Sequence, residues 1–182
     1  MRDKKWALIF LILLSIVFFI SKLSCAQESN IEIAGDALQL VIPATAYGMT
    51  YYMDDQEGRT QFYKSFFTNL GLTYGLRLAI DKERPDGSDH NSFPSGHTSL
   101  AFQGAAFIQK RYGWRKSIPA YIGAAFVGYS RVYADKHYVE DVLGGAAIGI
   151  LSAYYFTTPY KGVTISPIAG NGFWGINICK EW

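Results

Sequence analysis

The sequence predicts an all-α fold: a helical bundle of about five helices behind a signal segment, ending in a short β-hairpin-like tail. Three observations carry this. The 182 residues, 49% of them hydrophobic, suit one domain with a real core. Past the N-terminal segment, apolar stretches of helical length are bounded by glycine, proline and polar turns. Strict alternation, the mark of a strand, is confined to the tail.

The elements follow in chain order. Residues 1–26 read as a signal peptide: Arg2, Lys4 and Lys5 precede an apolar run from Trp6 to Ile20, with small Ser24 and Ala26 at the cleavage positions. An uncleaved anchor is the competing reading. The remaining domain is 27–182. Asp36 is the expected N-cap of a first helix reaching Met53 and kinked at Pro43. Asp54 to Gly58 is a polar turn, and a second helix is expected over Thr60 to Ile80. Asp81 to Phe93 is a long polar loop, which marks it as a functional suspect. Three more helices are expected from Gly96 to Tyr112, from Ser117 to Arg131 and from Val139 to Tyr155. Gly144, Gly145 and Gly149 suit close helix contact in the last of these. In the tail, Gly170-Asn171-Gly172 separates two alternating stretches, a hairpin signal.

Composition excludes several classes. Formal charge is only +2, so a nucleic-acid binder with a dense basic face is ruled out. Cys25 and Cys179 are too few for a disulfide framework or a four-ligand zinc site. Mean hydropathy is +0.06, and the N-terminal segment supplies more than that total. The rest averages roughly −0.2, which favours a soluble exported domain resting on a membrane over a six-span one. The spacing of basic clusters keeps the six-span alternative open.

Chemistry concentrates where loops meet helix ends. Arg77 and Arg84-Pro85 form one cluster, Pro94-Ser95-Gly96-His97 a second, and Ser130-Arg131, His137 and Asp141 a third. Ser95 and Gly96 open a helix, so free N–H groups and the positive dipole end favour an anion there. Arg77, Arg84 and Arg131 add cations suited to a dianion with no metal. Asp141 lies four residues after His137, so its carboxylate can fix the Nδ1 tautomer and leave Nε2 to attack. His97 is placed to protonate a leaving oxygen. Together these residues describe phosphoryl transfer through a phosphohistidine.

The three clusters, in this order and spacing over residues 77–141, resemble the signature of the type 2 phosphatidic acid phosphatase superfamily. That superfamily also includes bacterial class A acid phosphatases and vanadium haloperoxidases. The resemblance implies an all-helical, cofactor-free phosphatase with His137 as nucleophile, Asp141 as its partner and His97 as acid. It implies Arg77, Arg84, Ser95, Gly96 and Arg131 as phosphate ligands. The substrate would be a phosphorylated small molecule or lipid, and the expected location is the periplasm, in association with the membrane, with an inner-membrane protein whose site faces the periplasm as the alternative. Arg77 departs from the family, which usually has lysine there. A haloperoxidase holding vanadate in the same pocket is the alternative activity, and an integral six-span lipid phosphatase the alternative architecture.

Other residues have plainer readings. His90, Asp81, Lys82 and Glu83 read as ordinary loop residues, and Lys110-Arg111 with Arg115-Lys116 as a solvated turn. Tyr51, Tyr52, Phe62, Phe66 and Phe67 read as packing residues. Trp174 and Trp182 fit either core covers or membrane-interface anchors.

Overall fold

The computed structural model describes residues 30–160 in full and the backbone of residues 163–170 and 173–180. The signal segment, Cys25 and Trp182 lie outside the described residues, as do the side chains of Trp174 and Cys179. Five helices follow one another: α1 Asn30–Tyr52, α2 Gln56–Ala79, α3 Gly96–Tyr112, α4 Trp114–Tyr133 and α5 Val139–Phe156. The backbone of Val163–Gly170 and Phe173–Lys180 pairs as two antiparallel strands, β1 and β2.

The helix boundaries follow local chemistry. Asp55 caps α2 by accepting the Gly58 N–H at 2.8 Å, so that helix starts one turn earlier than Thr60. Gly113, at φ +91°, takes the left-handed region that ends α3 and lets α4 begin at Trp114. The start of α1 differs most. Asn30, the first described residue, is already helical, so Asp36 is an interior residue and not a cap. Pro43 is accommodated within α1, its backbone pressed against Gly104 of α3, where a Cβ would lie 2.9 Å from the proline ring nitrogen.

Helix α3 is the central element, in contact with each of the other four helices. Small residues set its approach to α5. A Cβ at Gly145 would press on the backbone of Ser95 and Ser99, and one at Gly149 would lie 2.8 Å from the Gln103 nitrogen. The α2–α3 seam is polar. Thr73 Oγ1 lies 2.9 Å from Ser99 Oγ, Ser99 Oγ donates to Asn69 Oδ1 at 2.5 Å, and Gln103 Nε2 donates to Ser65 Oγ at 2.8 Å. All five residues are buried. The outer faces carry the opposite chemistry: Leu78 is 88% exposed, and Leu40, Phe67, Ile122, Leu143 and Leu151 are exposed as well. Among the described residues one helix, Val139–Phe156, is long and apolar enough by length and composition to cross a membrane.

The far end of α3 corrects one expectation. Arg111 is buried, not solvated. Its Nε and Nη2 grip Asp55 at 2.7 and 2.6 Å, and its Nη1 donates to the Thr158 carbonyl at 2.8 Å. Asp55 also accepts the Tyr112 hydroxyl at 2.8 Å. Two fully paired charges thus lock the α2 N-terminus to the α3 C-terminus.

Candidate active site

The opposite end of the bundle gathers the three clusters. The α2 C-terminus supplies Arg77, the following loop supplies Lys82, Arg84 and Ser92, and the α3 N-terminus supplies Ser95, Gly96 and His97. Arg131 comes from the last turn of α4, His137 from the turn after it, and Asp141 from the first turn of α5. The loop is held by its own backbone. Lys82 N–H donates to the His90 carbonyl at 3.1 Å, Ser92 N–H to Lys82 at 2.9 Å and Arg84 N–H to Asp89 at 2.9 Å. Asp86 fastens it across the mouth, accepting Lys136 Nζ at 2.8 Å.

Arg77 lies against the opening turn of α3. Its Nε donates to the Pro94 carbonyl at 3.0 Å, and its Nη2 is 3.0 Å from where a Gly96 Cβ would stand. The absence of a side chain at Gly96 is what admits the guanidinium. Arg84 faces the same region; its Nε is buried without a hydrogen-bond partner, and its Nη2 is 3.7 Å from Asp89. Ser95 is buried, and its hydroxyl pairs with Thr98 Oγ1 at 3.0 Å. The Ser95 N–H is already taken by the Asp141 carbonyl at 2.9 Å, so the free helix-start donors begin at Gly96, not at Ser95.

His137 is 2% exposed. Burial, and after it the charges of Arg84 and Arg77, push its imidazole down from an ordinary 6.5 to about 4, although the nearby Ser92 backbone and Asp141 oppose the shift. The ring is therefore neutral at physiological pH, with a lone pair beside two cations. Its main-chain N–H is held by the Arg131 carbonyl at 3.2 Å.

Asp141 is adjacent to His137, but not as the spacing suggests. Its Oδ2 is 3.8 Å from Nδ1, beyond hydrogen-bond range, and Nδ1 has no other partner. The reason is competition for the carboxylate. Oδ1 accepts Lys82 Nζ at 2.6 Å; Oδ2 accepts the Ser92 hydroxyl at 2.5 Å and the Tyr138 N–H at 2.9 Å. Lys82, read from the sequence as a solvated loop charge, is thus a partner of the site. It also meets Glu140 at 2.9 Å and lies 4.5 Å over the Tyr138 ring. The two carboxylates raise its affinity for a proton, against the opposing effect of burial.

Arg131 and His97 form a second group, turned towards α1. Arg131 Nη2 donates to the Glu32 carbonyl at 2.9 Å, its Nε to Ser130 Oγ at 3.2 Å, and its Nη1 lies 2.8 Å from Asp36 Oδ1. The same carboxylate oxygen is 3.2 Å from His97 Nε2. The three arginines therefore do not converge on one point: Arg77 and Arg84 flank His137, while Arg131 is engaged with α1. Neither Lys82, whose partners are 58 and 59 residues away, nor Asp36 carried a sequence signal for this role. His90 is an exposed loop residue 3.1 Å from Asp81, in keeping with its plain reading.

A helical bundle with a buried neutral imidazole between guanidinium groups, beside an open helix N-terminus, defines an oxyanion-handling protein. The chain belongs to the PAP2 superfamily, whose family model matches residues 44–163. A lipid A 4'-phosphatase of Helicobacter pylori is 28% identical over 170 residues, covering 84% of this chain and 85% of its own. A lipid A 1-phosphatase of Porphyromonas gingivalis is 42% identical over 84 residues, 44% of this chain; the match spans only 19% of that relative. Two solved structures share the fold. Aquifex aeolicus LpxE has a TM-score of 0.59 at 20% identity, covering 78% of this chain and 92% of its own. The first transmembrane PAP2 type phosphatidylglycerolphosphate phosphatase from Bacillus subtilis has a TM-score of 0.55 at 27% identity, covering 82% and 90%. The helical fold and the family resemblance are both borne out, and the relatives are phosphoric ester hydrolases by name.

Proposed function

We propose that the chain is a membrane-bound phosphatase that removes phosphate from a phosphorylated lipid, with its active site on the exported face. The observation that carries the chemistry is His137: buried, neutral and flanked by Arg77 and Arg84. The substrate class is supported by the names of the relatives, and the membrane setting by polar residues inside the bundle and large apolar ones outside. Residues 1–26 serve as the export signal in this reading.

The phosphoryl group lies over the α3 N-terminus, held by Arg77, Arg84 and the Gly96 N–H. Ser95 completes the shell once its present partner gives way, and Arg131 borders it from α4 while it stays bound to α1. His137 Nε2 attacks phosphorus; the N–P bond forms as the bond to the leaving oxygen breaks, and His97 delivers a proton to that oxygen. Asp141 stabilises the imidazolium character that develops on His137. Water then attacks the phosphohistidine, His97 takes the water's proton, and inorganic phosphate leaves as His137 returns to neutral. Guanidinium and backbone donors supply most of the charge stabilisation.

The test is phosphate release by the purified full chain in detergent, across phosphorylated lipid A, phosphatidic acid, phosphatidylglycerol phosphate and an aryl phosphate. Rapid quench with labelled substrate should trap acid-labile, base-stable phosphate on the protein. His137→Ala should abolish both turnover and trapping. A phosphoenzyme that survives His137→Ala, or retained turnover in that variant, would replace this scheme with direct water attack.

A further inference from the structure

We infer that Asp36 of α1 is a positioning residue for the reaction, holding His97 in the orientation from which it serves the leaving group; this rests on the reading of His97 as the acid. Asp36 lies outside residues 44–163, the stretch that the family model matches.

Three observations converge on it. Asp36 Oδ1 is 3.2 Å from His97 Nε2, within ion-pair distance but without hydrogen-bond geometry, so this buried carboxylate oxygen is the charge that faces the imidazole of the α3 opening turn. The same oxygen is 2.8 Å from Arg131 Nη1, and Arg131 is itself buried and anchored to α1 through the Glu32 carbonyl. Arg131 and His97 thus face one carboxylate oxygen from two sides. The third is the backbone next door. A Cβ at Gly35 would lie 2.7 Å from Ser130 Cβ and 3.1 Å from Arg131 Nη2, so a bare glycine is what lets α1 approach α4 here. The close approach carries Asp36 to the pocket end of the bundle.

The consequence is a division of labour. His137 and its two arginines handle phosphorus, and Asp36, His97 and Arg131 handle the oxygen that departs. A carboxylate that only orients the acid matters in proportion to how much proton help the leaving group needs. A carboxylate that only staples α1 to α4 affects every substrate alike.

The experiment compares wild type, His137→Ala, His97→Ala, Asp36→Asn and Asp36→Asn/His97→Ala on one lipid phosphate and on p-nitrophenyl phosphate. His97→Ala should lose on the order of a hundredfold on the lipid and far less on the aryl ester. Asp36→Asn should lose about tenfold in kcat on the lipid and about twofold on the aryl ester, with KM little changed. In the His97→Ala background, Asp36→Asn should cost nothing further on the lipid. Equal loss on both substrates, no loss on either, or full additivity in the double variant would each overturn the inference. If Asp36→Asn does not fold, Asp36→Glu decides: it keeps the charge and displaces it by one methylene, and only a lipid-selective loss supports the role. Failure of the underlying reading is separable, because it would show as inactive wild type or as turnover retained in His137→Ala.

Discussion

Replacing Gly145 by alanine tests how rigidly α5 sets the opening turn of α3. A Cβ there would collide with the Ser95 carbonyl oxygen and lie 3.3 Å from both the Ser95 carbonyl carbon and the Ser99 nitrogen. All three are backbone atoms, so no rotamer change relieves the contact. The helices must part by on the order of 1 Å, an overpacking that costs about 1–3 kcal/mol. The segment displaced is the one that carries Ser95, Gly96 and His97, and a 1 Å misplacement near a reacting centre can cost about a hundredfold in rate. Gly145→Ala should therefore lower the melting temperature by several degrees and reduce kcat/KM towards that limit. Gly149→Ala makes the same kind of collision one turn further from the pocket, against Ser99 and Gln103. It should cost similar stability and much less activity. Gly75→Ala, with nothing within 4 Å, should leave activity unchanged. The measurements are thermal unfolding in detergent and steady-state phosphate release. Wild-type stability and activity in Gly145→Ala, or equal activity loss in Gly149→Ala, would refute the claim that this contact positions the turn.

Because His137 must be neutral to attack and is held down to about 4, kcat/KM should fall on the acid side only as pH approaches that value. Arg84→Ala removes one of the depressing charges, so this acid limb should move to higher pH, whatever happens to the amplitude. Arg77→Lys should stay active, whereas Arg77→Ala should lose about tenfold or more, the cost of one cation at an oxyanion site. Arg111→Met strands the buried Asp55 carboxylate and should cost about 3–5 kcal/mol of stability. Its effect on KM should be negligible, since α3 places Arg111 roughly 22 Å from Gly96. A chain starting at Gln27 should need detergent to stay monodisperse; recovery in the aqueous supernatant would return the protein to a soluble exported form.

Much of this was legible in the sequence. The helix from Gly96 and the one from Val139 begin where expected, because a glycine-histidine opening and an Asp141 first-turn carboxylate are local signals. Residues read as one site do assemble at one end of the bundle. What local pattern could not give is partner choice. Asp36 after Gly35 has the look of a cap, yet it pairs with residues 61 and 95 positions away. Arg111 in a basic cluster looks solvated, yet its partner Asp55 is 56 residues earlier. The hydropathy average is blind to a different feature. It counts residues without regard to side, and here Ser65, Asn69, Thr73, Ser99 and Gln103 lower the average from inside while Leu40, Phe67, Ile122 and Leu151 face out.

That interior polar seam works like the teeth of a ratchet. Its pairs run antiparallel: Thr73 and Asn69, one turn apart on α2, share Ser99, and Ser65, a turn further back, meets Gln103, a turn further on along α3. Apolar faces slide past one another at little cost, whereas a one-turn slip here, about 5.4 Å, would strand hydroxyls and amides against hydrocarbon. Arg77 stands one turn beyond Thr73, and Gly96 just under a turn before Ser99. The seam deep in the bundle therefore sets the gauge of the pocket at its rim, and a tooth removed there, such as Asn69→Leu, would be felt first as a change in which phosphate the two ends can span.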